Sequence, residues 1–205
     1  MTDFIQQPMI TYIGNKRKLV DKIQDVVEKL RPSTCADAFS GSGVVSRMLL
    51  GHSEKMYVND LEQYCEVLSK CFLKTPSWAD QDDVCKHIEN MNICPDKVGF
   101  ITELYASNER QFYTPENGRR IDGMLDYIER CVPENLKPYC LGPLIVRASI
   151  HTNTSGVFKV SIRVVGVVKV DTHKIELQRG LKLIVLCGLN HIGMLKFIAK
   201  MRVIF

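Results

Sequence analysis

The chain has 205 residues, 45% of them apolar, and a net charge of +4 from 27 Lys/Arg against 23 Asp/Glu. That is enough chain for one soluble domain, or one with an insert, and for a sizeable core. No apolar run approaches the roughly 20 residues of a membrane helix. The polar start Met1-Thr2-Asp3-Phe4-Ile5-Gln6-Gln7 is not a signal peptide, so a cytoplasmic protein with no membrane partner is expected. None of the eight cysteines stands in a Cys-x-x-Cys pair, so no metal site is expected and reduced thiols are.

Residues 17–30 place Leu19, Val20, Ile23, Val26, Val27 and Leu30 at helical spacing with charged residues between them. The pattern predicts an amphipathic helix that Arg31-Pro32 ends. Residues 35–46 follow, Cys-Ala-Asp-Ala-Phe-Ser-Gly-Ser-Gly-Val-Val-Ser, and the rest of the chain is organised around them. A short strand ends at Asp37, Gly41 and Gly43 permit a sharp turn and close approach of a ligand to the backbone, and a helix opens at Val44. This reads as a nucleotide-type cofactor loop at the carboxyl end of a first strand. A dinucleotide fingerprint fails, because Ser46 stands at its third glycine, and a Walker loop fails for want of Gly-Lys-Ser/Thr. Met56-Tyr57-Val58 predicts a second strand ending at Asn59-Asp60, about 20 residues past the loop, where a carboxylate is placed to take ribose hydroxyls. Residues 61–74 predict a further helix with Leu61, Tyr64, Cys65, Leu68 and Phe72 on one face, completing a β-α-β-α order. Cys35, beside the loop, reads as a small core residue.

Residues 75–140 read as mostly helical, with breaks at Pro76, Pro95, Pro115, Pro133 and Pro138. Thr114 is placed as an N-cap with Pro115 at the first helical position and Glu116 in the first turn, a structural role. An apolar helix then runs into His151-Thr152-Asn153-Thr154-Ser155-Gly156-Val157-Phe158-Lys159. Asn153 has the chemistry to pair with an adenine edge, the hydroxyls and Lys159 to hold phosphates, and Phe158 to stack. A plain polar loop after a helix is the alternative. From residue 160 the character changes to a β-prone, then unpatterned, tail with eight Lys/Arg and two Asp/Glu.

Asp37-Ala38-Phe39-Ser40-Gly41-Ser42-Gly43 resembles the S-adenosylmethionine (SAM) loop of D12-class, Dam-like adenine-specific DNA methyltransferases. Upstream, Tyr12-Ile13-Gly14-Asn15-Lys16 resembles that family's amino-terminal element, which also contacts SAM, and residues 139–159 resemble its helix leading into DNA recognition. The resemblance implies a partial Rossmann-like α/β methyltransferase fold with a mainly helical insert. It implies SAM as cofactor, held by Tyr12, Gly14, Asn15, Lys16, Asp37, Phe39, Ser40, Gly41, Gly43 and Asp60. Lys16 is placed to approach the SAM carboxylate, although Lys16-Arg17-Lys18 reads equally as a solvated helix start. Double-stranded DNA is the implied partner, met by His151, Asn153, Thr154, Ser155 and Lys159, with a cognate restriction endonuclease encoded nearby. Residues 1–75 are expected as the SAM-binding half, 76–159 as the helical segment and 160–205 as an atypical basic tail.

The family's catalytic Asp/Asn-Pro-Pro-Tyr motif should follow residue 159, but no Pro-Pro occurs in the chain and no proline follows Pro143. The codons permitted for Arg179 to Val203, read in an adjacent frame, allow the string GFKADCPVWSEPYWDVKVYREDAR, which resembles the family's segment leading to that motif. The expectation is therefore an out-of-frame tail, no catalytic residue in this polypeptide, and little or no turnover by it alone. A non-catalytic SAM- or DNA-binding module, or one half of a split methyltransferase, is the alternative.

Overall fold

The structure is a computed structural model that describes residues 10, 16–74, 76–107 and 110–152. Tyr12, Gly14, Asn15, Asn153, Thr154, Ser155, Phe158, Lys159 and the tail from residue 160 lie outside the described residues. The chain divides into two compact units between Asp82 and Asp83.

In the first unit, a 3-10 turn over Arg17–Leu19 leads into α1 (Val20–Leu30). The helix expected over 17–30 thus begins one tighter turn late. Its buried stripe is also narrower: Val20 and Val27 are buried, whereas Leu19, Val26 and Leu30 are exposed. Arg31 stops α1 by turning left-handed at φ 45°, its N–H donating to the Val27 carbonyl. Next come β1 (Thr34–Asp37), α2 (Val44–Leu49), β2 (Lys55–Val58) and α3 (Gln63–Leu73), so the expected β-α-β-α order holds. The two strands pair in parallel, from Thr34 opposite Lys55 to Asp37 opposite Val58. Parallel neighbours cannot be joined by a tight hairpin, and α2 supplies the crossover. Val20, Val27, Val44, Met48, Leu49, Met56 and Leu73 form the core here, with Cys35 packed against it. Each such side chain contributes about 1.5–3 kcal/mol on burial.

One helical face is corrected. Leu61 is 93% exposed and precedes α3, while Cys65, Leu68 and Leu73 are the residues buried. The cause is local. The Asp60 side chain accepts the Glu62 N–H, holding residues 60–62 in a turn so that the helix starts at Gln63.

The second unit takes the chain from Asp83, within α4 (Trp78–Ile93), through α5 (Phe100–Tyr105), α6 (Pro115–Cys131) and α7 (Lys137–Ile150). Met124, Ile128 and Val132, then Leu136, Cys140 and Leu144, recur every fourth residue and so line one stripe each. With Ile88 and Met91 of α4 they make the second core. Thr114 caps α6 as expected, its Oγ1 accepting from the Asn117 N–H at 3.2 Å, with Pro115 at the first helical position. Pro138 does not break the chain. It sits in the first turn of α7, where its missing N–H is no loss, and Pro143 lies inside the same helix.

Two side chains of α6 organise the elements before it. The Arg120 guanidinium donates to the carbonyls of Met91, Asn92 and Cys94, closing the end of α4. Asp122, buried, accepts from the N–H groups of Ile101 and Thr102 at 3.0 and 2.7 Å and from Thr102 Oγ1 at 2.6 Å, holding the start of α5. Cys35, Cys65, Cys71, Cys94, Cys131 and Cys140 are free thiols. No helix among the described residues is long and apolar enough to cross a membrane, and no group of three or more His, Cys, Asp or Glu among them is arranged to hold a metal ion.

Candidate functional site

The loop between β1 and α2 is closed by backbone geometry that only part of its sequence could adopt. Gly41 and Gly43 stand at φ 50° and 70°, in the left-handed region. The Gly43 N–H donates to the Ser40 carbonyl at 2.7 Å, which makes the turn tight. A Cβ built on Gly43 meets nothing within 4 Å among the described residues, so this glycine serves the backbone conformation. The loop is tied to the end of β2 by three bonds. Asn59 N–H donates to the Asp37 carbonyl at 2.9 Å, Ser40 N–H to the Asn59 carbonyl at 3.0 Å, and Asn59 Nδ2 to the Ala38 carbonyl at 3.2 Å.

Asp60 locks the arrangement. Its Oδ2 accepts the Gly41 N–H at 2.7 Å across 19 positions of sequence, and its Oδ1 accepts the Glu62 N–H at 3.1 Å. These two backbone donors, Glu62 first and then Gly41, hold its carboxyl below the ordinary carboxylate range, against a smaller opposing effect of burial. Asp37, at the end of β1, is half-buried. Its Oδ2 accepts from the Ser46 hydroxyl at 2.6 Å. Phe39 points into solvent, 89% exposed. Ser40 is buried, and its Oγ has no hydrogen-bond partner among the described residues.

Asp37, Ser40, Gly41, Gly43 and Asp60 are thus brought to one place, with Phe39 at its edge. Lys16 is exposed at the head of the 3-10 turn, its carbonyl accepting from the Leu19 N–H at 2.8 Å. His151, in the second unit, ends α7 with its N–H on the Arg147 carbonyl at 3.1 Å. Two residues that hold the loop carry no such role in the sequence reading. Ser46 enters the reasoning only as a missing glycine, although it is fully buried and holds Asp37. Arg47, buried in α2, places its Nε 3.3 Å from the Gly43 carbonyl. Burial, and next the positive charge of Arg17, pull its guanidinium down to about 10. A charged residue inside an otherwise apolar helical run was the available signal. α2 has only six residues, so its macrodipole contributes little to the loop.

The site presents carboxylate acceptors at Asp37 and Asp60 beside an exposed aromatic ring at Phe39.

Comparison with known proteins places this loop in context. The family model for D12 class N6 adenine-specific DNA methyltransferases matches residues 12–163. The chain is 26% identical over 163 residues to the type II methyltransferase M.NlaIII of Neisseria lactamica, covering 73% of this chain and 48% of that protein. It is 28% identical over 164 residues to the modification methylase LlaI of Lactococcus lactis subsp. lactis, covering 72% of this chain and 26% of that protein. The chain therefore spans about half the length of the first of these relatives and about a quarter of the second. No solved structure gives a significant match. The loop, the strand order and the family match over residues 12–163 agree: this chain belongs to the D12 class N6 adenine-specific DNA methyltransferases.

Proposed function

We propose that this chain is the SAM-binding portion of an adenine-specific DNA methyltransferase, with β1-α2-β2-α3 as the first half of a Rossmann-like doubly wound sheet. The observation that carries the reading is the Gly41 N–H to Asp60 bond, which sets the glycine loop and the second acidic residue at one site. SAM supplies an activated methyl group when bound. In this reading Asp60 takes the ribose hydroxyls, Phe39 lies against the adenine, and Asp37 accepts from the amino-acid end. Gly41 and Gly43 let the backbone come close, and Ser40 shapes the turn. Tyr12, Gly14, Asn15 and Lys16 complete the cofactor's surroundings, with Lys16 on the carboxylate. Duplex DNA is the methyl-accepting partner, approached through the segment from His151 to Lys159.

The chain by itself transfers little or no methyl group, because no Asp/Asn-Pro-Pro-Tyr sequence occurs in it to activate an adenine amine. The family match ends at residue 163, close to the change of character at residue 160, which favours an out-of-frame origin for the tail. Covering 48% of one relative favours the second reading, in which another polypeptide supplies the catalytic part. Titration calorimetry with S-adenosylhomocysteine tests the cofactor, with saturable one-to-one binding expected, and lost in Asp60→Ala. No binding by the unmodified chain overturns the reading. A filter assay with radiolabelled SAM and duplex DNA tests the rest, and adenine methylation by this chain alone overturns the inactivity. Reading the gene beyond codon 150 in all forward frames tests the tail: Asp/Asn-Pro-Pro-Tyr in an adjacent frame is the expected finding.

A further inference from the structure

Ser46 lies in α2, where a serine hydroxyl commonly bonds back to the carbonyl four residues earlier. Here it does something else. Its Oγ donates to Asp37 Oδ2 at 2.6 Å, and Ser46 is fully buried, so water does not compete for that bond. The bond spans from the helix after the loop to the strand before it, and it closes the base of the loop from inside. The Asp37 carboxylate makes no other side-chain hydrogen bond among the described residues. An aspartate carries two rotatable bonds, and its terminal torsion is broad. With Oδ2 fixed by Ser46, that torsion is set and, among the described residues, Oδ1 is left as the open acceptor.

We propose that Ser46 is a positioning residue: its buried hydroxyl fixes the Asp37 carboxylate so that Oδ1 receives the ammonium group of the cofactor's amino-acid end. The inference rests on the cofactor reading above and deepens it. Asp60 already spends both oxygens on backbone N–H groups and suits the weaker, neutral hydroxyl donors of a ribose. Asp37 keeps one oxygen uncommitted and suits a cationic donor, with which a charge-assisted bond is strongest. The residue at position 46 therefore bears on the amino-acid end of the ligand and not on its nucleoside.

Two ligands separate the alternatives. S-Adenosylhomocysteine carries the ammonium group, and 5′-methylthioadenosine keeps the nucleoside and sulfur but lacks the amino-acid end. In calorimetry on the full chain, Ser46→Ala is expected to weaken S-adenosylhomocysteine about tenfold and to change 5′-methylthioadenosine by less than about twofold. In an Asp37→Ala background, adding Ser46→Ala is expected to change neither, because Ser46 acts only through Asp37. Equal weakening of both ligands makes Ser46 a merely structural residue and overturns the proposal. Unchanged affinity in Ser46→Ala, or a further loss in the Asp37→Ala background, overturns it as well. Failure of the unmodified chain to bind either ligand sinks the cofactor reading itself, which is a distinguishable result. Should Ser46→Ala fail to fold by circular dichroism, Ser46→Cys, with its weak S–H donor, is measured in its place and the same outcomes apply.

Discussion

The Asp60 carboxylate holds the Gly41 backbone N–H at 2.7 Å, so the acidic residue after β2 is also the latch of the glycine loop after β1. One side chain thus joins the two strand ends that make the site, and its second oxygen sets the start of α3 through Glu62. A pH dependence follows with a definite sign. The folded carboxyl is held below its ordinary value, so its contribution is fully present above the unfolded value near about 4 and is lost as pH falls through the lower folded value. Thermal melts between about pH 6 and 2 should show a loss of stability in the unmodified chain that Asp60→Asn reduces. An identical slope in both proteins would show that the latch contributes nothing.

Arg31 offers a stabilising substitution. It ends α1 at φ 45°, where a side chain is strained and glycine is not. Arg31→Gly is expected to raise stability by about 0.5–1 kcal/mol, read as a higher urea midpoint at unchanged slope. A lower midpoint would mean that the arginine side chain makes a contribution larger than the strain.

Asp122 offers the reverse. Its buried carboxylate meets two backbone N–H groups and the Thr102 hydroxyl, and Asp122→Ala leaves those donors facing an apolar gap. The expected loss is about 2–4 kcal/mol, with faster amide exchange at Ile101 and Thr102 before the rest of the unit opens. Uniform exchange across the second unit would deny Asp122 a local role at α5.

These residues also show where sequence reasoning reaches and where it stops. Thr114 and Pro115 were legible because a helix start is a local matter, settled within four residues. The Gly41 and Gly43 loop was legible because a positive φ leaves a residue type behind it. Leu61 was misplaced because the side-chain turn at Asp60 delays the helix start by two positions, to Gln63. Arg120 and Asp122 carry nothing in sequence to say that they reach back 29 and 21 positions, to Met91 and Ile101. Ser46 was read for the glycine it is not, and its pairing with Asp37 needed the loop to be closed first.

Gly123 sets a propensity rule against packing. It lies inside α6, an interior helical position where alanine is favoured over glycine by about 1 kcal/mol. Sequence alone therefore predicts that Gly123→Ala stabilises. The packing predicts otherwise, because a Cβ at this site would overlap the Pro95 carbonyl oxygen, and the obstacle is backbone that cannot swing aside. Relieving the overlap requires the segment at Pro95 and Asp96 to move away from α6, which disturbs the Arg120 contacts to Cys94 and Asp96 as well. The expected result is a loss of about 2–4 kcal/mol in urea denaturation, opposite in sign to the propensity term and larger than it. A Cβ at Gly118 would meet the Ala106 Cβ at 2.7 Å and the Thr102 backbone at 3.2 Å, so Gly118→Ala should also destabilise. A stabilised Gly123→Ala would show that α6 and the Pro95 segment do not approach this closely in solution.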